Sequence, residues 1–439
     1  RGSARSTTPR YAVGLALAAI LTSACTTATG PAADPSTAGG PDPTTTASST
    51  ATGSSTAGSS TAGSSTTGSD GTGATAYPTA SVAPTQPAAM PAGAACVSQT
   101  YDAMTQTQRF GQLFMVGLQP DQAPSGLDST IRTWQIGSVI YLGGWSGAAT
   151  VRATSEHLQQ AAGGPVDLFI AADQEGGAVQ QLKGLGFTVL PAALEQGALS
   201  STRLTSLGAT MARELAAAGV NVNLAPVADT VPPTMVATNA PIGKYRRELG
   251  TDPAVVAAAV PPLVSGLQGG GVAATVKHFP GLGRVTGNTD VTASGISDAV
   301  TTPDDPCLWP FKAGIDAQVG FVMVSSARYP KLDDAHPAMF SRAVITDLLR
   351  GRLGFDGVVI TDDVGAAKAV AAVPVPERAV RFLAAGGDLV LTASAAQVPS
   401  MLTAVKARAA SDPAFAAGLE RSVQRILALK ARFGLVHCS

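Results

Sequence analysis

The sequence predicts an α/β domain of the (β/α)8 TIM-barrel type, and three observations carry that prediction. From about residue 96 onward, eight short apolar runs recur, at 113–118, 136–142, 166–172, 220–225, 272–277, 320–325, 357–361 and 388–392. Apolar runs of this length read as strands buried on both faces, as a parallel sheet requires. The intervals carry helical patterns, among them 201–218, 253–266 and 341–349, and Gly219, Gly271 and Gly354 stand just before strands. Glycine there suits a left-handed helix cap. The third observation is polar: Asp173 to Gly177, Asp229, Lys277 with His278, and Asp362 with Asp363 all fall where strands end. Barrels of this class place their chemistry at the C-terminal ends of their strands. A doubly wound open sheet is the competing layout, but no GxGxxG follows the first strand.

Ahead of this domain the composition is different. Arg1, Arg5 and Arg10 precede an apolar run at 11–21, shorter than the roughly 20 residues that span a bilayer. Basic residues followed by a short apolar run form the pattern of a secretory signal. The run closes on Leu21-Thr22-Ser23-Ala24-Cys25, small residues before a Cys as in a bacterial lipobox, with Thr22 where that motif prefers Leu. Residues 1–25 are expected to be an export segment with Cys25 as lipidation site. The alternative is an ordinary signal peptide in which Cys25 is incidental. Two or more acyl chains would anchor the chain stably to a membrane.

Residues 26–95 consist mainly of Thr, Ser, Ala, Gly and Pro, with no Lys or Arg. Such a segment buries too little apolar area to offset its chain entropy and is expected to be a disordered tether. The barrel is then expected over 96–439 as a single catalytic domain.

Charge and cysteine usage exclude several classes. The 439 residues carry 29 Lys+Arg against 30 Asp+Glu, a net charge of −1, which argues against a nucleic-acid binder. The 4 Cys lack the paired spacing of a zinc site. An exported protein is expected to form a disulfide, and Cys96 with Cys307, flanking the barrel, is the favoured pair.

Four stretches resemble one family. Asp173-Gln174-Glu175-Gly176-Gly177, Asn223 to Asp229 (NLAPVAD), Lys277-His278-Phe279-Pro280-Gly281 and Gly357 to Asp363 (GVVITDD) are similar, in that order, to motifs of glycoside hydrolase family 3. The likeness extends from about Ala103 to Phe433, and the pattern is similar to the family's single-domain β-N-acetylglucosaminidases. It implies that Asp362 is the nucleophile of a retaining hydrolysis, in which a carboxylate attacks the anomeric carbon. A bare helix N-cap is the competing role for Asp362. The likeness also implies that Asp173, Arg247, Lys277 and His278 bind the sugar, with no cofactor and no metal. Arg246 is adjacent to Arg247, so the register there is open by one residue. Asp363 is expected to orient or support.

Departures from the family pattern bear on the proton donor. The glucosaminidases usually follow KHFPG with Asp-Ser-His, whose His is the acid/base. Here Asn288-Thr289-Asp290 stands at that spacing. Asp290 is then either the acid/base, with its pKa raised by a dry pocket, or a turn-forming loop residue. Ala178 replaces an Arg common after the EGG sequence, and Ser325-Ser326 stand where a His is frequent.

The resulting expectation is an exported, membrane-anchored exo-β-N-acetylglucosaminidase acting on peptidoglycan-derived fragments. A β-glucosidase or β-xylosidase of the same family is one alternative. A sugar-binding envelope lipoprotein that has lost catalysis is another.

Overall fold

The structure, a computed structural model, describes residues 92–437. The export segment, Cys25 and residues 26–91 lie outside the described residues. The first described helix, α1 (Ala92–Ala103), begins four residues before the limit that composition set for the tether.

Each of the eight apolar runs yields one strand: β1 (Phe114–Leu118), β2 (Ser138–Tyr141), β3 (Phe169–Ala172), β4 (Val222–Asn223), β5 (Ala273–Phe279), which extends two residues past its run through His278 and Phe279, β6 (Phe321–Val324), β7 (Val358–Thr361) and β8 (Val390–Thr392). Every residue in them is buried, which is why they read as apolar runs and not as alternation. Most are shorter than their runs because pairing ends where the chain turns away. β4 is the extreme case: just beyond it the chain reaches Pro226, which has no N–H to donate to the ladder. All neighbours pair in parallel, in the order β7-β6-β5-β4-β3-β2-β1-β8. A parallel bridge from Ile360 to Leu389 joins β7 to β8 and closes the ring into a barrel.

One helix follows each strand. After α2 (Gln106–Gly111), the connecting helices are α3 (Asp128–Trp134), α4 (Ala148–Ala162), α5 (Ser201–Ala217), preceded by a short helical turn at Ala193–Gln196, α6 (Pro253–Gly269), α7 (Trp309–Asp316), α8 (Ala343–Arg352), which is wound as a π-helix, α9 (Val375–Ala384) and α10 (Val398–Ser411). α11 (Pro413–Arg432) ends the domain and packs on α1. Gly219, Gly271 and Gly354 have φ of +76°, +83° and +75°, the left-handed geometry that makes glycine the favoured residue after a helix.

Inside the barrel, Phe169 and Phe321 meet edge to face with centroids 5.2 Å apart. Below them Lys430 of α11 enters fully buried, its ammonium 5.1 Å from the Phe169 ring centroid. Its Nζ donates to Gln112 Oε1 (2.7 Å), Gly137 O (2.8 Å) and Asp167 O (2.7 Å). Those acceptors precede β1, β2 and β3, so Lys430 plugs the N-terminal end. Burial pushes its pKa down to about 7.

The expected Cys96–Cys307 pair is not formed. Cys307 is a free, buried thiol, whereas Cys96 is disulfide-bonded. Cys307 N donates to Asp305 Oδ1 at 2.9 Å at the start of the turn before α7, and burial raises its thiol pKa to about 12.

Candidate active site

At the C-terminal end of the barrel, the ends of β3, β4, β5 and β7 and the loops beyond them carry the polar side chains. Beyond β3 the chain turns sharply through Gly176, whose φ is +103° and whose added Cβ would stand 2.3 Å from Pro191 O. Only glycine fits there. The turn sets Glu175 inward, 2% exposed. Glu175 Oε1 accepts from Lys277 Nζ (2.6 Å) and Arg247 Nη2 (2.8 Å), and Oε2 accepts from Arg247 Nε (2.9 Å). Lys277 Nζ also donates to Asp173 Oδ1 at 2.5 Å.

These two cations and two anions balance. Burial alone would raise the Glu175 pKa, but the Arg247 charge and then that of Lys277 hold it down at about 2. Burial would lower Lys277, but Asp173 and Glu175 keep its pKa above the ordinary value. A buried pair needs such geometry to offset desolvation. Asp173 keeps part of its carboxylate exposed to the cleft, at 19%.

Arg247 is the arginine that enters, not Arg246. Arg246 sits in left-handed backbone, φ +57°, which turns successive side chains apart. It reaches outward to Glu195 at 3.0 Å, both half-exposed.

The His278 ring lies against Asp229: Nδ1 is 2.7 Å from Asp229 Oδ2. Asp229 Oδ1 accepts from the backbone N–H of His278 (3.1 Å) and Leu282 (2.7 Å). A carboxylate so placed favours the tautomer with its proton on Nδ1, leaving Nε2 free to accept. The loop beyond β5 then runs against the segment after β4, where a Cβ on Gly283 would stand 1.8 Å from Thr230 O. Arg284 pins it farther on, donating to Asp305 Oδ2 (2.7 Å) and Thr301 Oγ1 (2.9 Å). Ser325 Oγ accepts from Ala327 N (2.9 Å), and Tyr329 OH donates to Gly281 O (2.8 Å). The segment around Ser325-Ser326 thus braces the Lys277–Gly281 turn.

Asp362 follows β7 directly and is half-buried, with Oδ1 accepting from Asp363 N at 2.9 Å. The capping role falls to its neighbour. Asp363 accepts from Gly365 N (2.7 Å), Ala393 N (2.8 Å) and Ala366 N (2.9 Å), which fits the supporting role expected of it.

Asp290 stands on the loop after β5. That loop is tied to the segment after β7 by two backbone bonds, Lys368 N to Asp290 O (3.1 Å) and Ala369 N to Thr289 O (3.0 Å). Its backbone N–H donates to Asn288 Oδ1 at 2.9 Å, while its carboxyl has no hydrogen-bond partner among the described residues. Poor solvation first, and the Asp362 charge second, push the Asp290 pKa up to about 6, against Arg247 and His278. Asp290 is exposed by surface area. The two facts agree for a carboxyl standing in a cleft, which water reaches but protein surrounds.

Asp173, Arg247, Lys277, His278, Asp290 and Asp362 therefore gather at one end of the barrel. Sequence reasoning assigned no role to Glu175 or Asp229. The signal available was charge balance, since two buried cations and a buried imidazole demand anionic partners. Chemically, the cleft offers one carboxyl poised near neutrality, a second carboxylate beside it, and fixed donors and acceptors for hydroxyls.

A family model described as the glycosyl hydrolase family 3 N terminal domain matches residues 105–429. The chain is similar to a beta-hexosaminidase of Stenotrophomonas maltophilia (strain K279a), 36% identical over 284 residues, covering 62% of this chain and 80% of that one. It is also similar to a solved beta-N-acetylhexosaminidase from Beutenbergia cavernae DSM 12333, with TM-score 0.71 and 45% identity, over 75% of this chain and 99% of that one. A family 3 beta-N-acetylglucosaminidase from Paenibacillus sp. str. FPU-7 aligns with TM-score 0.66 at 33% identity, over 76% of this chain and 63% of that one.

Proposed function

The chain belongs to glycosyl hydrolase family 3 and is a glycoside hydrolase, and from that premise we propose that it removes terminal β-linked N-acetylglucosamine by a retaining route. The observation that carries the proposal is the carboxyl pair: Asp290, with a pKa of about 6, beside the Asp362 charge. Support for the sugar comes from the beta-hexosaminidase relatives.

In the first step Asp362 attacks the anomeric carbon and forms a glycosyl ester, while protonated Asp290 gives its proton to the departing oxygen. In the second, Asp290 as carboxylate takes a proton from water, which attacks the anomeric carbon and frees Asp362. Asp173 and Lys277 form one side of the sugar site, Arg247 another, and His278 Nε2 accepts from a hydroxyl. Asp229 and Glu175 hold those groups in place.

Hydrolysis of 4-nitrophenyl β-N-acetylglucosaminide, with little on the matching glucoside, is the expected result. A preference for the glucoside would move the assignment to a β-glucosidase, and inertness on both would favour a sugar-binding protein. A fluorinated glycosyl fluoride should label the peptide carrying Asp362.

The substrate in the cell is proposed to be peptidoglycan-derived fragments, met outside the membrane by an enzyme anchored through Cys25. The export pattern of residues 1–25 supports that reading. Cys25→Ser should release the protein to the soluble fraction. Membrane retention of that variant would remove Cys25 as the anchor.

A further inference from the structure

A second cleft, of about 390 Å³, opens outside the barrel among α8, α9, α10 and α11. It lies at the end opposite the carboxyl pair. Arg350, in its wall, donates to the carbonyls of Phe355 and Gly357 (both 3.2 Å) and of Gly386 (3.1 Å), which precede β7 and β8.

Five arginines line this cleft: Arg342, Arg350, Arg408, Arg421 and Arg425. Two carboxylates pair with them, and a third, Asp356, lies close enough to raise the Arg350 pKa. Asp388 pairs with Arg350 and with Arg425, the latter at 3.2 Å, and it also accepts from Val359 N at 2.8 Å. Asp412 pairs with Arg408 at 2.7 Å and caps α11 by accepting from Phe415 N at 3.0 Å. Both carboxylates are thus held by the backbone and cannot swing to other arginines. Arg342 and Arg421 are exposed and have no partner among the described residues. With Asp356 counted, two positive charges remain in excess. Burial pushes the Arg350 pKa below its ordinary value, partly offset by Asp388, and the nearby Arg425 charge adds to the fall.

Guanidinium groups match phosphate oxygens in bidentate fashion, and the volume lies within the range of small-ligand sites, about 300–1,000 Å³. An excess of two charges suits a dianion better than a monocarboxylate. We propose that this cleft binds a small phosphorylated anion, a pyrophosphate or phosphomonoester, at the face remote from the catalytic end.

Calorimetric titration of the full chain with inorganic pyrophosphate at low salt tests this. Binding of one equivalent is expected, weakening as salt rises. The double variant Arg342→Gln, Arg421→Gln should bind about tenfold more weakly or worse, with an unchanged melting curve and unchanged glycosidase turnover, because neither residue has a partner to lose. Absence of heat up to millimolar pyrophosphate, or equal binding by the double variant, overturns the proposal. So does loss, in that variant, of sedimentation with phosphatidylglycerol vesicles that pyrophosphate does not compete away, which would make the cleft a membrane contact. None of these readouts depends on which sugar the enzyme cleaves.

Discussion

The two ends of the barrel each bury a lysine, and they satisfy it in opposite ways. At the C-terminal end Lys277 is held by Asp173 and Glu175, full negative charges that keep its pKa high. At the N-terminal end Lys430 is held by two backbone carbonyls and an amide oxygen, and its pKa falls to about 7. Three neutral acceptors match the three protons of an ammonium but supply little opposing charge. The first arrangement fixes charges with one carboxylate, Asp173, partly open to the cleft, and the second ties the N-terminal ends of β1, β2 and β3 together. The difference lies in the partners: charged and in part accessible at one end, neutral and enclosed at the other.

The largest expected effect belongs to the catalytic end. Asp362→Asn should lower turnover by about 10⁴-fold or more while sugar binding, measured by calorimetry, survives. Normal turnover in that variant would undo the assignment of the nucleophile.

Next is Asp290. Asp290→Ala should cost about 10²–10⁴-fold on substrates with poor leaving groups, and less in the first step when the leaving group is a phenolate. As a proton donor with a pKa of about 6, Asp290 makes activity fall as pH rises through that value, and this limb should flatten in the variant. Equal losses on both leaving groups would make Asp290 a loop residue only.

The lysine pair sharpens the contrast in stability. Lys277→Met leaves Asp173 and Glu175 with Arg247 alone and should destabilise by about 3–5 kcal/mol, with KM raised as well. Lys430→Met leaves acceptors unpaired, at about 1–3 kcal/mol for each left without water, but also removes a poorly solvated cation. Its net cost should be smaller and its turnover normal. A Lys430→Met variant with altered KM would break the distinction between the two ends.

The smallest effects are in the pH dependence of unfolding. Glu175 has a folded pKa of about 2 against an ordinary 4.5, so its contribution is complete above 4.5 and lost as pH falls towards 2. Lys430 behaves in the reverse sense. Between about 7 and 10.5 the unfolded chain holds a proton that the folded chain has released, so stability climbs with pH in that window. Denaturant titrations across pH should show that upward slope in the native chain and lack it in Lys430→Met.

The barrel was legible because its signal is local. Eight apolar runs yielded eight strands, and only their ends shifted, as at β4 beside Pro226. The placement of site residues was legible where the motif leaves one candidate, as for Lys277 at the end of β5. It was less so where neighbours compete. Arg246 and Arg247 are identical in type, and only the left-handed backbone at Arg246 separates them. Asp362 and Asp363 divide exposure and capping in a way that needs the β8 backbone at Ala393 to be in place. Glu175 was in a quoted motif, yet its partners lie 72 and 102 positions onward, at Arg247 and Lys277. Cysteine pairing failed for the same reason: Cys307 falls within the barrel, in the turn before α7, where it is buried as a free thiol.

The loop bearing Asp290 is fastened to the strand-end segment after Asp362 through main-chain atoms alone, by Lys368 N to Asp290 O and Ala369 N to Thr289 O. A pedestal built this way is indifferent to the side chain it presents. Replacing Asp290 leaves both bonds intact. On the proposed assignment of Asp290 as proton donor, a lineage could exchange one donor for another without rebuilding the distance to its counterpart, and the working pH range could drift with a single codon while that spacing is inherited unchanged.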